Sequence, residues 1–179
     1  MARLKLATVW LGGCSGCHMS FLDLDEWLFE LAQQAELVYS PFADIKTYPA
    51  GVDVALVEGA IANQDHLDMI RRVRERTKYL ISFGDCAVTG NVTALRNVLG
   101  GPESAVSRAY LEADTLPQLP QGDLVPPLIK QVLPVHRVIS VDCYLPGCPP
   151  DAHRIRTVLE AAIKGIPPLL SGPELIQFG

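Results

Sequence analysis

Apolar positions along this chain follow two alternating rhythms. Five short runs are continuously apolar and rich in β-branched residues: Leu4 to Leu11, Leu37 to Ser40, Val52 to Glu58, Tyr79 to Phe83 and Arg137 to Val141. Runs of that length predict strands buried on both faces. Between them lie stretches whose apolar residues recur every three or four positions, the spacing of one helix face. Ser20 to Gln34 places Phe21, Leu24, Leu28 and Leu31 on such a face, with Asp23, Asp25 and Glu26 early, where the helix dipole favours acids. Gln64 to Arg76 does the same with Leu67, Ile70 and Val73, and Asp151 to Lys164 with Ile155, Leu159 and Ile163. Strand, helix, strand alternation predicts an α/β fold with a parallel sheet covered on both faces.

The chain has 179 residues, 49% of them hydrophobic, enough for one full-sized core and too short for two independent domains. A single domain over residues 1–179, a doubly wound, flavodoxin-like parallel sheet, is the expected architecture. From Gly100 to Pro134 the rhythm breaks at Pro102, Pro117, Pro120, Pro126, Pro127 and Pro134. This Pro-rich excursion, about 100–134, reads as a surface loop or a partner-contacting loop, with room for a short helix at Leu124 to Leu133.

Charge and cysteine usage narrow the function. A net charge of -5 with both signs mixed along the sequence provides no basic stripe, so no nucleic acid is expected as partner. Met1 to Trp10 carries Arg3 and Lys5 within its apolar stretch, unlike a signal peptide, and no apolar run approaches bilayer length, so no membrane partner is expected. A cytoplasmic location follows as the expectation. Five cysteines in a reducing compartment favour metal binding or catalysis over disulfides, and the odd count leaves no complete pairing.

Four of those cysteines stand in Gly-rich or Pro-rich turns: Cys14 and Cys17 in Gly-Gly-Cys-Ser-Gly-Cys, Cys86 in Gly-Asp-Cys-Ala, and Cys148 in Pro-Gly-Cys-Pro-Pro. In a doubly wound sheet, ligands gather beyond the carboxyl ends of strands. Each of these turns follows a predicted strand, so three distant stretches converge on one edge. Gly12, Gly13 and Gly16 let the backbone fold closely and aim amides at sulfur, and the helix expected to begin near Ser20 turns its positive end toward an anionic group. All-cysteine ligation suits iron-sulfur or zinc; the isolation of the third and fourth ligands favours an iron-sulfur cluster over a structural zinc site, which usually pairs two local knuckles. Two other readings stay open, a redox dithiol at Cys14 and Cys17 with Cys86 and Cys148 merely buried, and a flavodoxin-like module holding flavin mononucleotide (FMN). The first leaves the framing of Cys86 and Cys148 unexplained, and the first loop lacks the Ser/Thr-rich phosphate cradle that a flavin requires. Cys143, at the end of a predicted strand, reads as a packed thiol outside the ligand set.

With these motifs, Val57-Glu58-Gly59-Ala60-Ile61 completes a pattern that closely resembles the small subunit of nickel-iron hydrogenases over essentially the whole chain. The resemblance implies that Cys14, Cys17, Cys86 and Cys148 bind one proximal 4Fe-4S cluster, which relays electrons from a nickel-iron site on a large-subunit partner. Many members of that family continue into a segment with two more clusters, and exported members begin with a twin-arginine signal. Here no cysteine follows Cys148, and the Arg71-Arg72 pair lies in a predicted helix. Both departures resemble the short small subunit of cytoplasmic NAD-reducing hydrogenases, whose electrons pass to diaphorase subunits with flavin and further clusters. The homologous cluster-bearing subunit of respiratory complex I is the nearest rival, but it typically has adjacent cysteines in place of Cys-x-x-C. A deazaflavin-reducing hydrogenase is a further rival, though its small subunits usually carry extra cluster ligands.

Three residues are candidates to support the cluster from behind. His18 reads either as a solvent-exposed residue of the first helical turn or as a neighbour of the cluster, and with Met19 it stands where the resemblance places the large-subunit contact. The family commonly has a glutamate at the position of Met19, so no role of that acid carries over. Glu58 is expected to accept backbone donors, hold the cluster loop or face the partner. Asp85, beside Cys86, is expected to turn outward from an anionic cluster.

Overall fold

A computed structural model describes residues 3–112, 125–168, 170, 172 and 176–178. Five parallel strands form its centre: β1 (Leu4–Trp10), β2 (Ala35–Tyr39), β3 (Val52–Glu58), β5 (Thr77–Phe83) and β7 (Cys143–Leu145), in the order β2-β1-β3-β5-β7. This is the doubly wound order that the alternation of strands and helices predicts. Successive residues of β1 and β3 point to opposite faces. Leu6, Val54 and Leu56 join Ile81 and Phe83 on one side, while Ala7, Val9, Ala55 and Val57 join Leu80 on the other. Helices α1 (Gly16–Leu22), α2 (Trp27–Gln34) and α6 (Ala152–Ile163) cover the first face through Phe21, Trp27, Leu31, Ile155 and Leu159. Helix α3 (Gln64–Arg76) covers the second with Ile70 and Val73.

The ends of the long helices are set by local chemistry. Asn63 caps α3 by accepting from His66 N at 2.8 Å, and Asp151 caps α6 by accepting from Arg154 N at 3.0 Å. Short strand β4 (Ile61–Asn63) pairs antiparallel with β6 (Leu128–Leu133) in a separate ribbon. That ribbon is held to a 3₁₀ segment (Asn91–Leu99) by a two-bond clasp: Asn97 Nδ2 donates to Val132 O at 2.9 Å and Val132 N donates to Asn97 Oδ1 at 2.7 Å. Two further helices, α4 (Asp85–Thr89) and α5 (Glu103–Tyr110), flank this segment.

Three sequence expectations are corrected. The stretch expected as one helix from Ser20 to Gln34 is two, α1 and α2, and the first begins at Gly16. Its backbone tightens between them into i to i+3 bonds, Leu24 N to Phe21 O and Trp27 N to Leu24 O, with Asp25 at φ 48°. Arg137 to Val141 is not a strand. Val138, Ile139 and Val141 pack against the second face of the sheet, and the fifth strand is Cys143–Leu145, held to β5 where Asp142 Oδ2 accepts from Leu80 N at 2.7 Å. Within Leu124 to Leu133, Leu124 lies outside the described residues and 128–133 is strand, not helix. Among the described residues, no helix is long and apolar enough to cross a membrane.

Candidate metal centre

Strands β1, β3, β5 and β7 lie side by side, so the loops leaving their carboxyl ends share one edge. Cys14 and Cys17 leave β1, Glu58 ends β3, Cys86 follows β5 and Cys148 follows β7. The loops are tied to one another by backbone bonds. Gly12 N donates to Ala60 O and Ala60 N to Gly12 O, each at 2.9 Å, joining the first loop to the loop after β3. Gly84 N donates to Leu145 O at 2.8 Å and Asp85 N to Gly147 O at 2.9 Å, joining the Cys86 and Cys148 loops.

Within the first loop, Ser15 takes a left-handed turn (φ 67°) that opens α1, and Gly16 N donates to Cys14 Sγ at 3.4 Å. Cys17 is already in the first turn of that helix and is buried, as is Ser20, whose hydroxyl donates to Pro150 O at 2.7 Å in the Cys148 loop. Gly84, at φ 82°, is where the loops meet: a Cβ there would overlap Cys17 Sγ and stand 3.4 Å from Gly147 O. Cys86 is half-buried and hydrogen-bonded with the Thr93 side chain, while Asn91 Nδ2 donates to the exposed Cys148 Sγ at 3.5 Å. The Cys14 thiol is exposed. Thr93 Oγ1 also donates to Gly12 O at 3.0 Å.

The supporting residues sit deeper than their sequence neighbours indicate. His18 is 1% exposed, which corrects the solvent-exposed reading. Its backbone N donates to Glu58 Oε2 at 3.0 Å, its Nδ1 pairs with the same oxygen, and its ring meets Phe42 and Phe83 edge-on. His18 Nε2 has no hydrogen-bond partner among the described residues. Glu58 is equally buried, so it braces α1 from below. Asp85 does not turn outward: it is 5% exposed, and its Oδ1 accepts from Gly147 N at 2.6 Å. Together with its own N–H to Gly147 O, this makes a clasp between the two single-cysteine loops. Met19 is exposed beside the cradle. Cys143 is buried in the core, hydrogen-bonded with Tyr79, and burial pushes its thiol up to about 11.

Sequence reading missed four contributors: Ser20, Asn91, Thr93 and Arg154. Ser20 stands one helical turn after Cys17, and Asn91 and Thr93 follow the Gly90 that ends α4, so polar residues a few positions after Cys17 and Cys86 were the available signal. Buried Arg154 donates to Pro146 O at 2.5 Å, a contact that only the packing of α6 reveals.

The thiols share one electrostatic neighbourhood. Burial first, then the Glu58 carboxylate and the Cys86, Cys14 and Cys148 thiols, push the Cys17 thiol far above its ordinary range. Burial also raises the Cys86 thiol, opposed by its bond with Thr93 and assisted by Cys148, Cys14 and Glu58. A bound cation inverts this balance, because a coordinated thiol gives up its proton. Among the described residues no three His, Cys, Asp or Glu converge as ligands of a single ion. A cubane gives each thiol its own iron, and soft sulfur donors, glycines at the close approaches and N–H groups aimed at two sulfurs fit such a group.

The family described as NADH ubiquinone oxidoreductase, 20 Kd subunit, matches residues 14–162. The chain is 36% identical over 170 residues to the NAD-reducing hydrogenase HoxS subunit delta of Cupriavidus necator, covering 92% of this chain and 81% of that one. It is 30% identical over 186 residues to the iron-sulfur subunit of the F420-non-reducing hydrogenase of Archaeoglobus profundus, covering 92% and 58%. The chain spans about half the length of such F420-non-reducing relatives, 54% of the one from Methanothermobacter marburgensis. In structure it matches a chain of a crystallised NAD+-reducing [NiFe]-hydrogenase in the H2-reduced state, with TM-score 0.93 and 34% identity over 99% of this chain and 100% of that one. The chain belongs to the NADH ubiquinone oxidoreductase 20 Kd subunit family and is a homologue of the NAD-reducing hydrogenase subunit.

Proposed function

We propose that this chain is the electron-transfer subunit of a cytoplasmic nickel-iron hydrogenase. Cys14, Cys17, Cys86 and Cys148 hold one 4Fe-4S cluster between a large subunit that carries nickel and iron and diaphorase subunits that reduce NAD. The observation that carries this reading is the gathering of four framed cysteines on one edge of adjacent parallel strands, with Gly84 in direct approach to Cys17. When bound, such a cluster accepts and gives up one electron at a time.

The chain's own work is to hold and insulate. The Gly16 amide and Asn91 side chain donate toward sulfur, the Asp85 clasp and Ser20 fix the Cys148 loop, and Cys17 closes the inner side of the cradle. Hydrogen bonds to sulfur and burial are the levers by which a protein sets the potential of such a centre. Trp10 and Met19, both about half-exposed beside the cysteine loops, present apolar surface for a partner.

The test is anaerobic purification of the complex with its neighbouring subunits, followed by iron, sulfide and nickel analysis and paramagnetic resonance of the reduced form. About four irons and four sulfides on this chain are expected; zinc alone, or no metal, would sink the proposal. Serine in place of Cys14, Cys17, Cys86 or Cys148 should abolish the cluster signal, while Cys143→Ser keeps it. The family description favours a second reading, a quinone-reductase subunit. Hydrogen-dependent reduction of NAD by the purified complex separates the two.

A further inference from the structure

The 3₁₀ segment Asn91–Leu99 meets the cradle with one side only. Residues three apart eclipse in such a helix, and Val92, Leu95 and Val98 share the outer side, all of them exposed. The inner side is fastened without help from the Asn91 side chain. Thr93 Oγ1 donates to Gly12 O at 3.0 Å, Arg96 Nη2 donates to Ala62 O at 3.0 Å and to Ile129 O at 2.8 Å, and Asn97 clasps Val132. Among the described residues, the Asn91 side chain makes a single hydrogen bond, from Nδ2 to Cys148 Sγ at 3.5 Å. The backbone is turned to deliver it. Gly90 at φ 90° and Asn91 at φ 36° are left-handed in succession, and asparagine is among the few side chains that tolerate that region. A neutral thiol accepts hydrogen bonds weakly, whereas a charged thiolate accepts them strongly. The bond therefore gains most when Cys148 is an iron ligand.

Resting on the proposed function, we infer that Asn91 is a positioning residue that acts through Cys148 to raise the cluster potential, favouring acceptance of the electron from the large subunit's metal site. Reduction adds one electron and makes or breaks no bond on this chain. The added negative charge is shared with the ligand sulfurs, so an N–H aimed at one of them stabilises the reduced form more than the oxidised form. Gly16 N also reaches a cysteine sulfur but belongs to the backbone. Asn91 is thus a donor that a side-chain substitution removes.

The experiment is a redox titration of the anaerobic complex, followed by paramagnetic resonance, for the native chain, Asn91→Gly, Asn91→Ala and Asn97→Ala. Glycine takes the left-handed turn freely and alanine takes it with strain, and neither donates from a side chain. Both Asn91 variants should keep the cluster signal and disfavour its reduction about three- to tenfold, a fall of about 28 to 59 mV for one electron. After exchange into deuterated water, the reduced native complex should show a coupling from an exchangeable hydrogen that both variants lack. Asn97→Ala cuts the clasp to Val132 and leaves Asn91 in place, so its midpoint should match the native one. An unmoved or raised midpoint in both Asn91 variants overturns the inference. So does an equal fall in Asn97→Ala, which would assign the effect to the anchorage of the segment, and so does loss of the cluster from both Asn91 variants, which would make Asn91 a brace. Absence of iron and sulfide from the native complex would overturn the proposed function, and the inference with it.

Discussion

Gly84 shows how much one missing side chain contributes. Its φ of 82° already disfavours any L-residue, and its α-carbon faces Cys17 Sγ so closely that a methyl group has no place. Gly84→Ala should therefore lose most of its iron and sulfide. Gly100→Ala is the comparison: at φ 83° with open space around it, it should retain the cluster and lose only about 1–2 kcal/mol of stability. Iron analysis beside thermal unfolding of both variants checks this. The convergence of the cysteine-bearing turns on one sheet edge was legible in the sequence because glycine and proline frame them after successive strands. His18 was not, since nothing near it in sequence shows that Glu58, Phe42 and Phe83 close over it. For Asp85, repulsion from an anionic site is a sound local argument, but the fold supplies Gly147 N as a partner and the acid turns inward.

At the scale of elements, periodicity identifies which residues are buried better than it identifies backbone form. Leu24 and Trp27 both reach the core across the break between α1 and α2, so the apolar rhythm continues while the helix does not. Arg137 to Val141 is apolar because it covers the sheet, and side-chain pattern alone does not distinguish covering from pairing. The loop before β3 is anchored by Tyr48, fully buried, whose hydroxyl bonds Thr77 Oγ1 at 2.6 Å at the start of β5. Burial pushes the Tyr48 phenol from 10 to about 12, so the fold favours its neutral form. The stability this contributes is complete below pH 10 and is lost as pH rises through 12. Cys143 and Tyr79 titrate in the same window, so the comparison is with Tyr48→Phe. The native chain should lose more stability between pH 10 and 12 than the variant. Equal losses would show that Tyr48 is not responsible.

For the whole molecule, the alternation of strands and helices was enough to foresee the sheet, because right-handed crossovers between parallel strands leave few arrangements. The ribbon of β4 and β6 was not foreseeable, since the side chains that tie it down, Arg96 on Ala62 O, Ile129 O and Lys130 O and Asn97 on Val132, come from a segment without regular periodicity. The four thiols, finally, are graded in depth: Cys17 is buried, Cys86 is half-buried, and Cys14 and Cys148 open to solvent. On the proposed function, a large subunit seated over that edge would cover the two exposed thiols. On that reading, inorganic iron and sulfide are expected to enter first and the neighbouring subunit to dock afterwards. Apo chain should take up iron and sulfide readily on its own and far more slowly once docked; equal rates in the two would mean that this edge stays open in the complex.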